Sequence, residues 1–122
     1  KIDIRYSKKN LNKSDYISAS KNYFNNSKMA IELAKLYKVE NFYIVSLFDS
    51  ANLNNSESPF FQHYYSKVLD LVQLESFVSF INTKNYLEPS LKSQNLFCDP
   101  MHHNLKGKIA TAKIISDFIH DK

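Results

Sequence analysis

The sequence has one glycine and one cysteine among its 122 residues, and it has no tryptophan. A single glycine excludes the glycine-rich loops that cradle phosphates in nucleotide-binding folds. The single cysteine, Cys98, cannot form a disulfide within the chain, and zinc sites built from several cysteines are excluded as well. A metal site would depend almost entirely on histidines and carboxylates, and we predict none.

Arginine is equally scarce, because fifteen of the sixteen basic residues are lysines. Specific recognition of phosphates and bases relies mainly on guanidinium groups. The lysines are spread along the chain, and the net charge of +4 is modest. A solvated, mildly basic surface is therefore favoured, and no nucleic-acid partner is expected. A nucleic-acid-binding domain is the weaker alternative, and its affinity would fall steeply with salt.

Long hydrophobic runs are also missing. No stretch approaches the roughly 18 apolar residues of a membrane-spanning helix, and no signal peptide is recognisable within these residues. At 43% hydrophobic and 23% charged, the composition is typical of a soluble globular protein. The length is that of one domain or part of one. The sequence does not indicate the cellular compartment of the protein.

The chain does contain alternating helical and strand patterns. Apolar residues at helical spacing predict helices over 16–37, from Ser58 or Pro59 to about 72, and over 105–120. Runs of β-branched and aromatic residues predict buried strands at 42–48 and 77–81, and a shorter alternating stretch predicts a strand over 1–6. The apolar stripe expected to face the core in the last helix consists of Ile109, Ala112, Ile115 and Ile119.

Strands separated by helices predict a parallel sheet with crossover helices, and hence an α/β fold. A three-layer α/β/α sheet normally has about five strands, whereas this chain offers two or three. We therefore expect it to supply the C-terminal half of a domain. The remaining strands would come from a preceding segment or from another chain.

The segment from Asp99 to Gly107 carries the most informative chemistry. Asp99 and His102 are three residues apart with Pro100 between them, so a turn can fold the carboxylate back onto the imidazole. An aspartate in that position fixes the histidine tautomer and stabilises the imidazolium that forms when the ring takes a proton from a nucleophile. These are the tasks of two members of a hydrolytic triad.

The Asp-x-x-His spacing alone is a weak signal, but its surroundings add to it. Asn104 lies two residues after His102, the sole glycine lies five residues after it, and an amphipathic helix follows. With these features the segment resembles the last sequence block of the SGNH (GDSL) serine ester hydrolases.

That resemblance implies a flavodoxin-like three-layer α/β/α parallel sheet, with residues 16–120 as its second half. It assigns His102 as general base and Asp99 as the group that orients it, with the nucleophilic serine upstream of this chain. No cofactor is implied. The substrate would be a small acyl ester, a lipid or an acetylated sugar, and O-acyl transfer is the related alternative activity.

The sequence also departs from the family. His103 stands where proline or leucine is usual, and the Gly-Asp-Ser and Gly-x-Asn-Asp blocks are absent. Asn10, after the first predicted strand, is a weak candidate oxyanion donor. The residues expected at the rim of a pocket are Ser46, Asp49 and Ser50, which end or follow a strand where open α/β sheets bind ligands, and His103.

Two plainer interpretations stay open. Asp99 could simply cap a turn by accepting backbone N–H groups while His102 packs beside it. Alternatively, the chain could belong to a degenerate SGNH-like module that binds a ligand without catalysis, as the missing nucleophile block suggests.

Overall fold

The computed structural model describes residues 13–49, 53, 59–99 and 102–121. In chain order these contain helix α1 (Lys13–Leu36), strand β1 (Phe42–Ser46), helix α2 (Pro59–Leu74) and strand β2 (Val78–Asn82). A 3-10 helix (Thr83–Tyr86), a short helix α3 (Pro89–Lys92) and helix α4 (Leu105–His120) follow. The predicted bounds of the last helix are confirmed, and the other helices and strands differ from prediction by a few residues. The strand predicted over 1–6 lies outside the described residues.

Strands β1 and β2 pair in parallel, with Phe42 opposite Val78 and Ser46 opposite Asn82. Parallel neighbours need a crossover connection, and α2 lies in it. The predicted α/β class with a parallel sheet is thus confirmed for this strand pair. Within the described residues the sheet has these two strands alone.

Helices cover both faces of the strand pair. Alternate residues of a strand point to opposite faces of the sheet, so β2 contributes side chains to a core on each face. Val78 packs in a cluster with Ile31 of α1 and Leu71 of α2. Ile81, three residues further along β2, instead packs with Ala110 and Ile114 of α4. The second cluster also contains Phe48, Leu87 and Leu96, so the segments after both strands close over this face.

Helix α2 packs on the sheet through Tyr64, Tyr65 and Val68, which are all buried. The inward face of α4 is not the predicted one. The buried residues of α4 are Gly107, Ala110, Thr111 and Ile114, whereas Ile109 is 61% exposed. Both faces of α4 carry apolar residues, and the helix packs through the smaller ones because they allow its axis to lie close to the sheet.

No helix in the described parts of the chain is both long enough and apolar enough to cross a membrane.

Candidate active site

The Asp/His pair lies on a turn that is closed by backbone pairing. The N–H of Cys98 donates to the carbonyl of His102 at 2.8 Å, and the N–H of Asn104 donates to the carbonyl of Leu96 at 2.9 Å. Between them, Phe97 and His103 form an antiparallel bridge. Neighbouring residues of an extended segment point to opposite sides, so His103 faces the protein interior and His102 faces outward.

Asp99 binds His102 through both oxygens of its carboxylate. Oδ2 lies 2.7 Å from Nδ1 of the imidazole, and Oδ1 accepts the backbone N–H of His102 at 2.8 Å. A carboxylate can only accept, so Nδ1 carries the proton and Nε2 of the neutral ring keeps its lone pair. The two interpretations of Asp99 are therefore compatible, because one carboxylate both caps the turn and orients the ring.

The outer nitrogen of His102 is accessible. The His102 side chain is 79% exposed and that of Asp99 is 51% exposed. Within the part of the chain that the structure describes, Nε2 has no hydrogen-bond partner. The turn thus presents an oriented imidazole whose free lone pair can accept a proton from an incoming group.

His103 fastens this turn to the sheet. Its Nε2 donates to the carbonyl of Phe48 at 2.6 Å, and its Nδ1 lies 3.2 Å from the hydroxyl of Thr111. The ring stacks on Phe48 at 4.4 Å and meets the ring of Phe97 edge-on at 5.3 Å. Both ring nitrogens of His103 are thus bonded within the fold, and the ring anchors the turn. Its place at a pocket rim stays a prediction.

The anchoring contact also locates the site. Phe48 lies two residues beyond the carboxyl end of β1, so the Asp99–His102 turn lies at the carboxyl edge of the parallel sheet. Open α/β sheets bind ligands at this edge.

Asn104 and Gly107 hold the other side of the turn. The Asn104 side chain caps α4 by accepting the N–H of Gly107 at 3.0 Å, and it donates to the carbonyl of Asn95 at 2.9 Å. A Cβ on Gly107 would lie 2.2 Å from the carbonyl oxygen of Leu96. The glycine is therefore required by the close approach of helix and turn, which explains why the sole glycine of the chain occurs here.

The remaining predicted rim residues are less closely tied to the pair. The hydroxyl of Ser46 lies 2.7 Å from that of Tyr65, on the face covered by α2, and no bond joins it to His102. Asp49 is half-buried, and its carbonyl accepts the N–H of Leu53 at 3.1 Å. Asn10 and Ser50 lie outside the described residues.

Sequence reasoning missed one supporting residue, Thr83. Its fully buried hydroxyl donates to the carbonyl of Ser46 at 2.8 Å and accepts the N–H of Phe48 at 3.0 Å. These bonds end β1 two residues before its predicted end, and they fix the Phe48 carbonyl that binds His103. A threonine after a strand is too common to signal such a role.

Among the described residues, no group of three or more His, Cys, Asp or Glu side chains is arranged to hold a metal ion.

No protein-family model matches the sequence, no curated protein is significantly similar to it, and no solved structure matches its fold. The chemistry of the site therefore follows from its own geometry.

Proposed function

We propose that Asp99 and His102 are the orienting carboxylate and the general base of a serine ester hydrolase. The observation that carries this proposal is the 2.7 Å contact between Asp99 Oδ2 and His102 Nδ1, which leaves an accessible lone pair on Nε2. That arrangement has the geometry of the aspartate and histidine in a catalytic triad.

In the proposed reaction, a serine Oγ–H gives its proton to Nε2 of His102 while Oγ bonds to the acyl carbon of the ester. The carbonyl electron pair moves onto oxygen, and backbone N–H donors stabilise the resulting oxyanion. The intermediate collapses as the alkoxide leaves with the proton from Nε2. Water then repeats the cycle: it loses a proton to His102, attacks the acyl-enzyme and releases the acid and the serine. Asp99 stabilises the imidazolium in both half-reactions.

We further propose that the serine and the oxyanion donors come from outside these 122 residues, and that the complete sheet is a flavodoxin-like three-layer α/β/α sandwich. The position of the turn at the carboxyl edge of β1 supports this proposal, because strands added beside β1 would end at the same edge. Helices on both faces of the strand pair are compatible with it.

The proposed substrates are small acyl esters, lipids or acetylated sugars. The high exposure of His102 favours a nucleophile and a substrate that approach from outside the described surface. If a sugar hydroxyl takes the place of water in the second half-reaction, the same residues perform O-acyl transfer.

A non-catalytic binding module is the second candidate. The observation that favours it is that no serine hydroxyl of the described residues bonds to Nε2 of His102.

Labelling the full-length protein with a fluorophosphonate probe distinguishes the two candidates. The probe reacts with activated serines, and peptide mass mapping identifies the residue that it modifies. We expect one labelled serine and a loss of labelling in His102→Gln. The matched control is His120→Gln, the same change at an exposed histidine near the end of α4, which should label normally.

Labelling that survives His102→Gln would contradict the assigned general base. A folded full-length protein that is never labelled and hydrolyses no p-nitrophenyl ester would favour the binding module.

A further inference from the structure

A second candidate site lies away from the Asp/His turn, beside the C-terminal half of α4. A cavity of about 490 Å³ opens between this helix and the segment that leads from the 3-10 helix into α3. That volume accommodates a small organic ligand. Its apolar lining residues are Tyr86, Leu87, Leu91, Ala110, Ile114 and Phe118.

The aromatic wall of the cavity is held by ring contacts. Tyr86 and Phe118 meet edge to face at 5.8 Å, and Phe118 meets Tyr43 of β1 in the same way at 6.3 Å. The floor is firm as well, since Leu87 and Ile114 belong to a buried core cluster. The cavity is thus bounded by packed elements, so a ligand can enter without unfolding them.

The charges at the rim are unbalanced. Among the described residues, the charged side chains that line the cavity are Glu88, Asp117 and Asp121 and one cation, Lys113. Lys113 is already bonded to Asp117 at 2.6 Å, and the pKa of its ammonium is raised by that bond and by the nearby Glu88 and Asp121. Within the described residues, the carboxylates of Glu88 and Asp121 have no bonded partner.

We propose that this cavity binds a small organic cation, an ammonium group attached to an apolar body. The body would fill the space against Leu91 and Ile114, while the cationic head would lie against aromatic surface and near the two unbonded carboxylates. A small anion would be repelled by the rim, and an inorganic cation would gain nothing from the apolar walls. This site does not depend on the function proposed for His102.

The test is NMR titration of the ¹⁵N-labelled protein with benzyltrimethylammonium. Benzylsulfonate and benzyl alcohol serve as anionic and neutral probes of similar shape. We expect the cation alone to bind, with a Kd of about 1–10 mM and shift changes centred on the cavity. Raising the salt concentration should weaken its binding.

Two substitutions at the rim should act in opposite directions. Glu88→Gln removes a negative charge and should weaken binding of the cation about two- to fivefold. Lys113→Gln removes the competing ammonium and should strengthen binding by a similar factor. Both residues are exposed, so neither change is expected to disturb folding.

Equal binding of the three probes would overturn the proposal, since it would show a merely apolar cavity. Shift changes outside the cavity, absence of binding at 20 mM, or the same response of both variants would overturn it too.

Discussion

Replacing Gly107 with alanine tests the close approach that joins the Asp/His turn to α4. An added Cβ would lie 2.2 Å from the Leu96 carbonyl oxygen and 3.0 Å from Cβ of His103. Both neighbours belong to the paired turn and cannot rotate away as a flexible side-chain end could. The helix or the turn must therefore move by at least about 0.8 Å.

The expected cost follows from the contacts that this movement disturbs. Overpacking costs about 1–3 kcal/mol. The Leu96 carbonyl also accepts the N–H of Asn104, and the Asn104 side chain caps Gly107, so weakening these bonds adds about 1–2 kcal/mol. Because alanine has a higher helix propensity than glycine, the substitution also stabilises the helix by about 1 kcal/mol. Together these contributions predict that Gly107→Ala lowers the free energy of unfolding by about 1–4 kcal/mol.

Urea unfolding followed by far-UV circular dichroism measures this change. The matched control is Lys108→Ala, an exposed position in the same helical turn, which should alter the free energy of unfolding by less than about 0.5 kcal/mol. If Gly107→Ala is as stable as the original protein, or more stable by about 1 kcal/mol as helix propensity alone predicts, the close packing of helix and turn is refuted.

The other predictions concern the site and its supports. Asp99→Asn should keep the turn, because the amide oxygen can still accept the His102 N–H, but it should reverse the imidazole tautomer and slow ester hydrolysis by about 10²–10⁴-fold. An unchanged rate with unchanged circular dichroism would contradict the role of the carboxylate. Thr83→Val should cost about 1–3 kcal/mol in urea unfolding because it removes the hydroxyl that accepts the buried Phe48 N–H and donates to the Ser46 carbonyl, whereas Thr83→Ser should cost much less. Equal losses in the two variants would argue for packing alone. Asn104→Ala should cost about 1–2 kcal/mol, and a cost below about 0.3 kcal/mol would show that the cap is dispensable.

The helices and strands were predictable because their signals are local. Asn104 and the apolar spacing after it placed α4 between Leu105 and His120, as observed. The β-branched and aromatic run at Phe42 gave β1 in the same way. Its end was predicted too late, because Thr83, which is 35 residues away from Phe48 in the chain, supplies the bonds that end the strand.

The orientation of α4 could not be derived from its own sequence. Two opposite faces of this helix are apolar, so periodicity alone does not distinguish the inner face. The contact between Gly107 and Leu96 brings the helix to the turn through its smaller residues and leaves Ile109 outside. Packing against another part of the chain therefore determines which face of α4 lies inward.

The sequence by itself determined the Asp99–His102 pair, since three residues of spacing suffice to bring a carboxylate onto an imidazole across a turn. It also determined the parallel α/β character, through strands separated by a helix. Only the tertiary structure decided where the pair lies, because His103 reaches Phe48 across 55 residues of chain to hold the turn at the carboxyl edge of the sheet. The tertiary structure also gives the two adjacent histidines different roles, since backbone pairing directs His103 into the core and His102 outward.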